Sequence, residues 1–255
     1  VGICLILVLG WVFPVSQSDA ESSAGKANMA TPMPPGKLDR DTLKSHNPSV
    51  LWAKTAGRLE LVRQDAKPDV LRVSYPAGGW GSKHSGAQIK FALPPTQTKT
   101  VQYRVRFAND FDFVKGGKLP GLAGGSATTG KRRPTGDGWS ARFMWRRGGD
   151  AVLYLYHLDQ RKSHGDDFAL GVRFKPGVWH TIKQRVTVNS DQERDGRIEV
   201  WFDQAKVLDA SSLRLQSDNQ APVDRFYFST FFGGTGDEWA PKQDQVIDFA
   251  DFKTL

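Results

Sequence analysis

Cysteine is all but missing from this chain of 255 residues: the one present, Cys4, sits inside the apolar opening run "VGICLILVLGWVFPV". Disulfides, thiolate metal sites and cysteine nucleophiles are thereby excluded from everything that follows that run. A lipid-bearing cysteine just after it is excluded too. Long apolar stretches are equally scarce, and the opening run is short for a membrane span. With Ser18 and Ala20 placed as a small-x-small cleavage site, residues 1–20 read as a secretory signal peptide. A retained anchor is the alternative. Residues 21–45 are Pro/Ser-rich and read as a flexible leader, and 46–255 as one folded domain. The expected address is secreted or periplasmic, with no stable membrane association after cleavage and a monomeric state.

Helical periodicity is also lacking, and no internal repeat is found. What is present are short β-branched and aromatic runs: Leu71–Tyr75, Ala87–Leu93, Thr100–Ala108, Trp139–Arg146, Ala151–Leu158, Phe168–Phe174, Thr181–Val188, Gly196–Phe202, Arg225–Phe232 and Gln245–Phe252. Most alternate, with Val101, Tyr103, Val105 and Phe107 on one face and Gln102, Arg104 and Arg106 on the other. Turn sequences such as "RRGGD", "KPG" and "ERDG" separate them. Strands without crossover helices predict an all-β fold, an antiparallel jelly roll or two-sheet sandwich.

Acidic residues are outnumbered, 27 against 35 Lys and Arg, for a formal charge of +8. Residues 1–20 hold one Asp and no Lys or Arg, which makes the remainder +9. A basic exported protein suits an anionic partner, whether acidic polysaccharide, anionic lipid or nucleic acid, though many exported proteins are simply basic. "RFMWRR" and "YRVRF" would also fit single-stranded nucleic acid, but export sets that partner aside.

The run "FDFVKGGKLPGLAGG" at 111–125 reads as a strand entering a tight glycine bend. It is no phosphate loop: the spacing and the Ser/Thr are wrong, and Pro120 would break the helix such a loop must open. There is no GxSxG, and the five histidines show no metal-ligand spacing. His157 and His164 with Asp166 and Asp167 read as a polar loop rather than a metal cluster. Glu199 and Asp203, the nearest pair of carboxyls for a glycosidase, alternate toward solvent. No metal and no cofactor is called for.

The hairpin "GWSARFMWRRGGDAVLYLYHLD" carries more information. Its bulky apolar residues claim one face, leaving Ser140, Arg142, Tyr154 and Tyr156 on the other. The four meet only if Arg142 lies opposite Tyr154 and Ser140 opposite Tyr156. That register requires an odd loop, Arg147-Gly148-Gly149, with a glycine in the left-handed region. A solvated face on which tyrosine is merely a good β-former is the plainer reading. The chemistry such a set can run is β-elimination on a uronic acid. A cation neutralises the carboxylate, a base takes the adjacent proton, and an acid protonates the departing oxygen.

In these residues and the motifs around them the chain resembles polysaccharide lyase family 14, the alginate and glucuronan lyases. The likeness runs over about residues 70–255 through "KGGKLPG", "GWSARFMWR", "LYLYHLD" and "FSTFFGGTGDEWAPKQDQ". It implies a β-jelly roll and cleavage of an acidic polysaccharide. Lys118 matches the family's essential lysine, Ser140 and Arg142 its polar strand residues, and Tyr154 and Tyr156 its tyrosine pair. The expected roles are carboxylate neutralisation by Lys118 and Arg142, assistance by Ser140, and proton transfer by the tyrosines, with Lys118 as base the alternative. Lys115, Arg146 and Gln184 (in phase with Ile182 and Val186) are candidates for binding along the groove. A non-catalytic carbohydrate-binding jelly roll is the competing function. The basic loop "SATTGKRRPTGDG" departs from the family pattern and bears on which polymer is preferred.

Overall fold

Alternation along the strands sorts the side chains of two stacked sheets into a shared core and two outer faces. The structure is a computed structural model that describes residues 33–65 and 68–255. Residues 1–20, read as a signal peptide, and residues 21–32 of the expected leader therefore lie outside the described residues. One sheet has eight strands, in the order Gly36–Lys37 (β1), Leu59–Val62 (β3), Val70–Tyr75 (β4), Gln245–Thr254 (β15), Thr98–Phe107 (β6), Trp179–Thr187 (β11), Gly196–Phe202 (β12) and Ala205–Leu213 (β13). The other has seven: Asp166–Arg173 (β10), Asp150–Tyr156 (β9), Gly138–Arg146 (β8), Gly116–Gly125 (β7), Val223–Phe232 (β14), Ala87–Thr96 (β5) and Val50–Lys54 (β2). Neighbouring strands pair antiparallel throughout, as the sequence predicts for an all-β sandwich.

Tyr75, Tyr103, Phe107 and Phe249 from the larger sheet meet Phe91, Phe143, Trp145 and Phe228 from the smaller, all buried. Edge-to-face contacts recur among them, Phe107 and Trp145 at 5.6 Å for one. Charged residues are confined to the outer faces and the loops, where the strand period leaves them.

The fold begins earlier than position 46. Asp39 caps the short helix Arg40–His46 (α1) by accepting from the Thr42 N–H at 2.8 Å, and Leu38 and Leu43 are buried in the core. Seven residues are too few for a helical period to register in a sequence.

The glycine-rich run differs more. Rather than a strand that enters a bend, residues 108–115 form the bend and Gly116–Gly125 is itself a central strand. Pro120 survives there because β7 bulges: its register with β8 shifts between Leu119 and Leu122, so no ladder N–H is missed. Gly121 allows the close approach, since a Cβ there would stand 2.1 Å from the Ala141 carbonyl oxygen. The opposite sheet holds the bulge in place. Tyr103 donates its hydroxyl to the Pro120 carbonyl at 3.0 Å. Gln184 accepts from the Leu122 N–H at 2.9 Å and donates to the Ala141 carbonyl at 2.8 Å. Gln184 is thus a fully buried link between the sheets, not a groove residue. Its apolar phase with Ile182 and Val186 is the phase of the core.

Candidate active site

The hairpin that gathers the site closes through a three-residue turn, Arg147–Gly149, with Gly148 at φ 61° and Gly149 at φ 84°. That odd loop sets Arg142 opposite Tyr154 and Ser140 opposite Tyr156. Lys118 on β7 sits opposite Met144 on β8. The outer face of the seven-stranded sheet therefore presents lysine, arginine and both tyrosines together. They line a cavity of about 900 Å³ with Met144, Arg146, Gln88 and Tyr227.

Lys118 is only 9% exposed, and among the described residues no carboxylate pairs with it. Its ammonium position lies 3.5 Å from the centroid of the Tyr154 ring and 2.6 Å from Met144 Sδ. Burial, and next the guanidinium groups of Arg142 and Arg146, hold its pKa well below the ordinary lysine range, with Asp167 pulling weakly the other way. The ring face also favours the cation, by ~0.5–2 kcal/mol. Burial and the two guanidinium groups act against the ring and favour the neutral amine relative to an ordinary lysine.

Arg142 is 3% exposed. Its Nη1 donates to Ser229 Oγ at 3.1 Å, its guanidinium stands 5.2 Å from the Tyr227 ring centroid, and its Nε has no partner among the described residues. Gln88 orders this corner by donating to Tyr227 Oη at 2.9 Å and to Ser229 Oγ at 3.0 Å. A buried guanidinium with a spare donor and no carboxylate is poised for an anion brought by a ligand.

The two tyrosine hydroxyls lie 3.4 Å apart. Gly165 donates its N–H to Tyr154 Oη at 3.2 Å, and Gly130 donates to Tyr156 Oη at 3.1 Å. Burial, followed by the neighbouring Tyr156 hydroxyl, pushes the Tyr154 phenol up and keeps its proton on. Gly165 has no room for a side chain, because a Cβ would meet the Tyr156 ring at 2.9 Å.

The remaining candidates fare differently. Ser140 is fully buried and donates its hydroxyl to the Thr128 carbonyl at 2.8 Å. It tethers the loop that carries Gly130, and its proton is spent there rather than on a ligand. Arg146 lines the cavity but forms a two-pronged pair with Asp167 at 2.6–2.9 Å. Lys115 pairs with Glu238 at 3.2 Å beside Trp239, outside the lining. His157 pairs with Asp166 at 3.0 Å, and among the described residues no cluster of three or more His, Cys, Asp or Glu is arranged to hold a metal. Glu199 lies on the larger sheet, held by Lys206 at 2.6 Å, and Asp203 accepts from His180 at 2.7 Å, both remote from the cavity. Gln88, Tyr227 and Ser229 escaped sequence reasoning. Their signal is the phase opposite to Ile89, Phe91, Phe226 and Phe228.

A search of curated protein sequences returned no match. Among solved structures, the alginate lyase of Aplysia kurodai shares 25% identity at a TM-score of 0.74, with 87% of this chain and 97% of that one covered. Alginate lyase Aly36B shares 24% at 0.74, covering 86% and 91%, and two of its variants hold an alginate trisaccharide and tetrasaccharide. Alginate lyase vAL-1 from Chlorella virus shares 21% at 0.72, covering 86% and 97%. The model of the family described as Polysaccharide lyase 14 matches residues 63–252, so the chain belongs to that family and is a polysaccharide lyase.

Proposed function

We propose that the protein is an exported enzyme that cleaves an acidic polyuronate, alginate or glucuronan, by β-elimination that needs no metal. One observation carries the reading. A buried amine with a depressed pKa, a buried guanidinium with a spare donor and two phenols 3.4 Å apart converge on one cavity. The solved relatives that hold alginate oligosaccharides support the substrate class.

The steps follow from the side chains. Arg142, with its free Nε, takes the uronate carboxylate and spreads the charge that develops when the adjacent C5 proton leaves. Lys118 is the base: its neutral amine receives that proton and becomes ammonium. The electrons of the C5–H bond form the C4–C5 double bond, and the bond from C4 to the glycosidic oxygen breaks. A hydroxyl of the Tyr154–Tyr156 pair protonates the departing oxygen. Return of the proton from Lys118 to the phenolate restores the site.

The testing experiment follows the ultraviolet absorbance of the new double bond with alginate and with glucuronan. A rise with either polymer supports the reading. Binding without any rise favours the carbohydrate-binding alternative.

A further inference from the structure

The cavity does not end the line of cations and rings on the outer face. Arg142 and Lys90 flank the Tyr227 ring, each with its charge 5.2 Å from the centroid. Lys90 on β5 stands directly opposite Tyr227 on β14, and Trp52 on β2 stands opposite Lys90. Directly opposed residues share a face, so Arg142, Tyr227, Lys90 and Trp52 form one row across the strands. At ~4.8 Å per strand, the four steps from Arg142 on β8 to Trp52 on the edge strand β2 span about 19 Å, longer than one sugar ring.

Trp52 is 37% exposed on the edge strand, although nothing in the core requires an aromatic there. Lys90 is half-buried, and among the described residues no carboxylate pairs with it. Burial and the nearby charges of Arg225, Arg142 and Arg132 lower its pKa, which marks a concentration of positive charge in need of an anion. The family match begins at residue 63, so Trp52 comes from chain that precedes the matched segment.

We propose that Trp52 and Lys90 form a distal subsite that grips the polyuronate beyond the catalytic cavity, the indole against a sugar face and the amine on its carboxylate. The inference rests on the polyuronate reading above. It makes the enzyme favour long chains over short ones.

The test compares kcat/KM on a long polyuronate with kcat/KM on a trisaccharide of the same sugar, for the wild type, Trp52→Ala, Lys90→Met and Leu51→Ala. Leu51 is exposed at the bulge beside Trp52 and is in register with no β5 residue, so it serves as the control. The expected result is a long-to-short ratio about fivefold lower in Trp52→Ala and in Lys90→Met, the change that ~1 kcal/mol makes, and unaltered in Leu51→Ala. Trp52→Phe should recover part of the loss. An unchanged ratio in both variants overturns the subsite while leaving the lyase reading intact. Absence of cleavage by the wild type on every polyuronate overturns the reading beneath it. A dimer in the wild type that Trp52→Ala abolishes, with the ratio unmoved, assigns the edge to self-association instead.

Discussion

The Lys118 amine packs 3.5 Å from the centre of the Tyr154 ring, with its charge opposed by burial and by two guanidinium groups. In the proposed mechanism this pairing sets the base against the ring of one member of the acid pair. The amine must be neutral to begin, while the phenol must keep its proton, and burial drives both in the needed direction.

Substitution of Lys118 separates charge from basicity. Lys118→Ala should reduce turnover by about 10²–10⁴, the usual worth of a general base. Lys118→Arg should be equally inactive, because a guanidinium stays charged. Substantial activity in the arginine variant, measured as ultraviolet-absorbing ends, would assign Lys118 to carboxylate binding instead.

The pH dependence has a definite sign. Lys118 works deprotonated, so kcat/KM should climb as pH rises through its depressed pKa, with the climb centred below the ordinary lysine value of ~10.4. A flat profile between about pH 5 and 10 contradicts this. Stability follows the same linkage. In the window between the depressed folded pKa and ~10.4 the unfolded chain binds the extra proton, so stability rises with pH there. Lys118→Met should therefore melt above the wild type at neutral pH, and the gap should shrink toward pH ~10.4.

The tyrosines should behave as a unit. Tyr154→Phe and Tyr156→Phe are each expected to lower kcat by about 10²–10⁴, and the double variant by much less than the product. Additive losses in kcat would mean that the hydroxyls, 3.4 Å apart, act independently.

Two polar residues should act mainly through stability. Ser140→Ala removes the bond to the Thr128 carbonyl and is expected to lower stability by about 1–2 kcal/mol, with a rise in KM as the Gly130 loop loosens. Gln184→Ala leaves the Leu122 N–H and the Ala141 carbonyl unpartnered, at about 1–3 kcal/mol each. Calorimetric melting of both variants checks the pair, and unchanged melting would contradict the buried-link assignment.

Much of the fold was legible where strands alternate cleanly. Val101, Tyr103, Val105 and Phe107 are all buried, and the β8–β9 register followed from one loop length. The strand Gly116–Gly125 was not legible as a strand because glycine and proline mark turns locally. Only the bulge, and partners from the opposite sheet, let those residues lie in a central strand. Ser140 shared a face with Arg142, yet face-sharing does not say which hydroxyl is already engaged. Gln88 and Ser229 reach Arg142 through pairings far apart in the chain, which no local pattern encodes.

The most direct test incubates the wild type and Lys118→Ala with alginate and with glucuronan and follows the absorbance of unsaturated uronate ends. The account predicts a steady rise for the wild type on at least one polymer and essentially none for the variant, with unchanged circular dichroism. Equal rises from both proteins, or none from the wild type with any polyuronate, would contradict it.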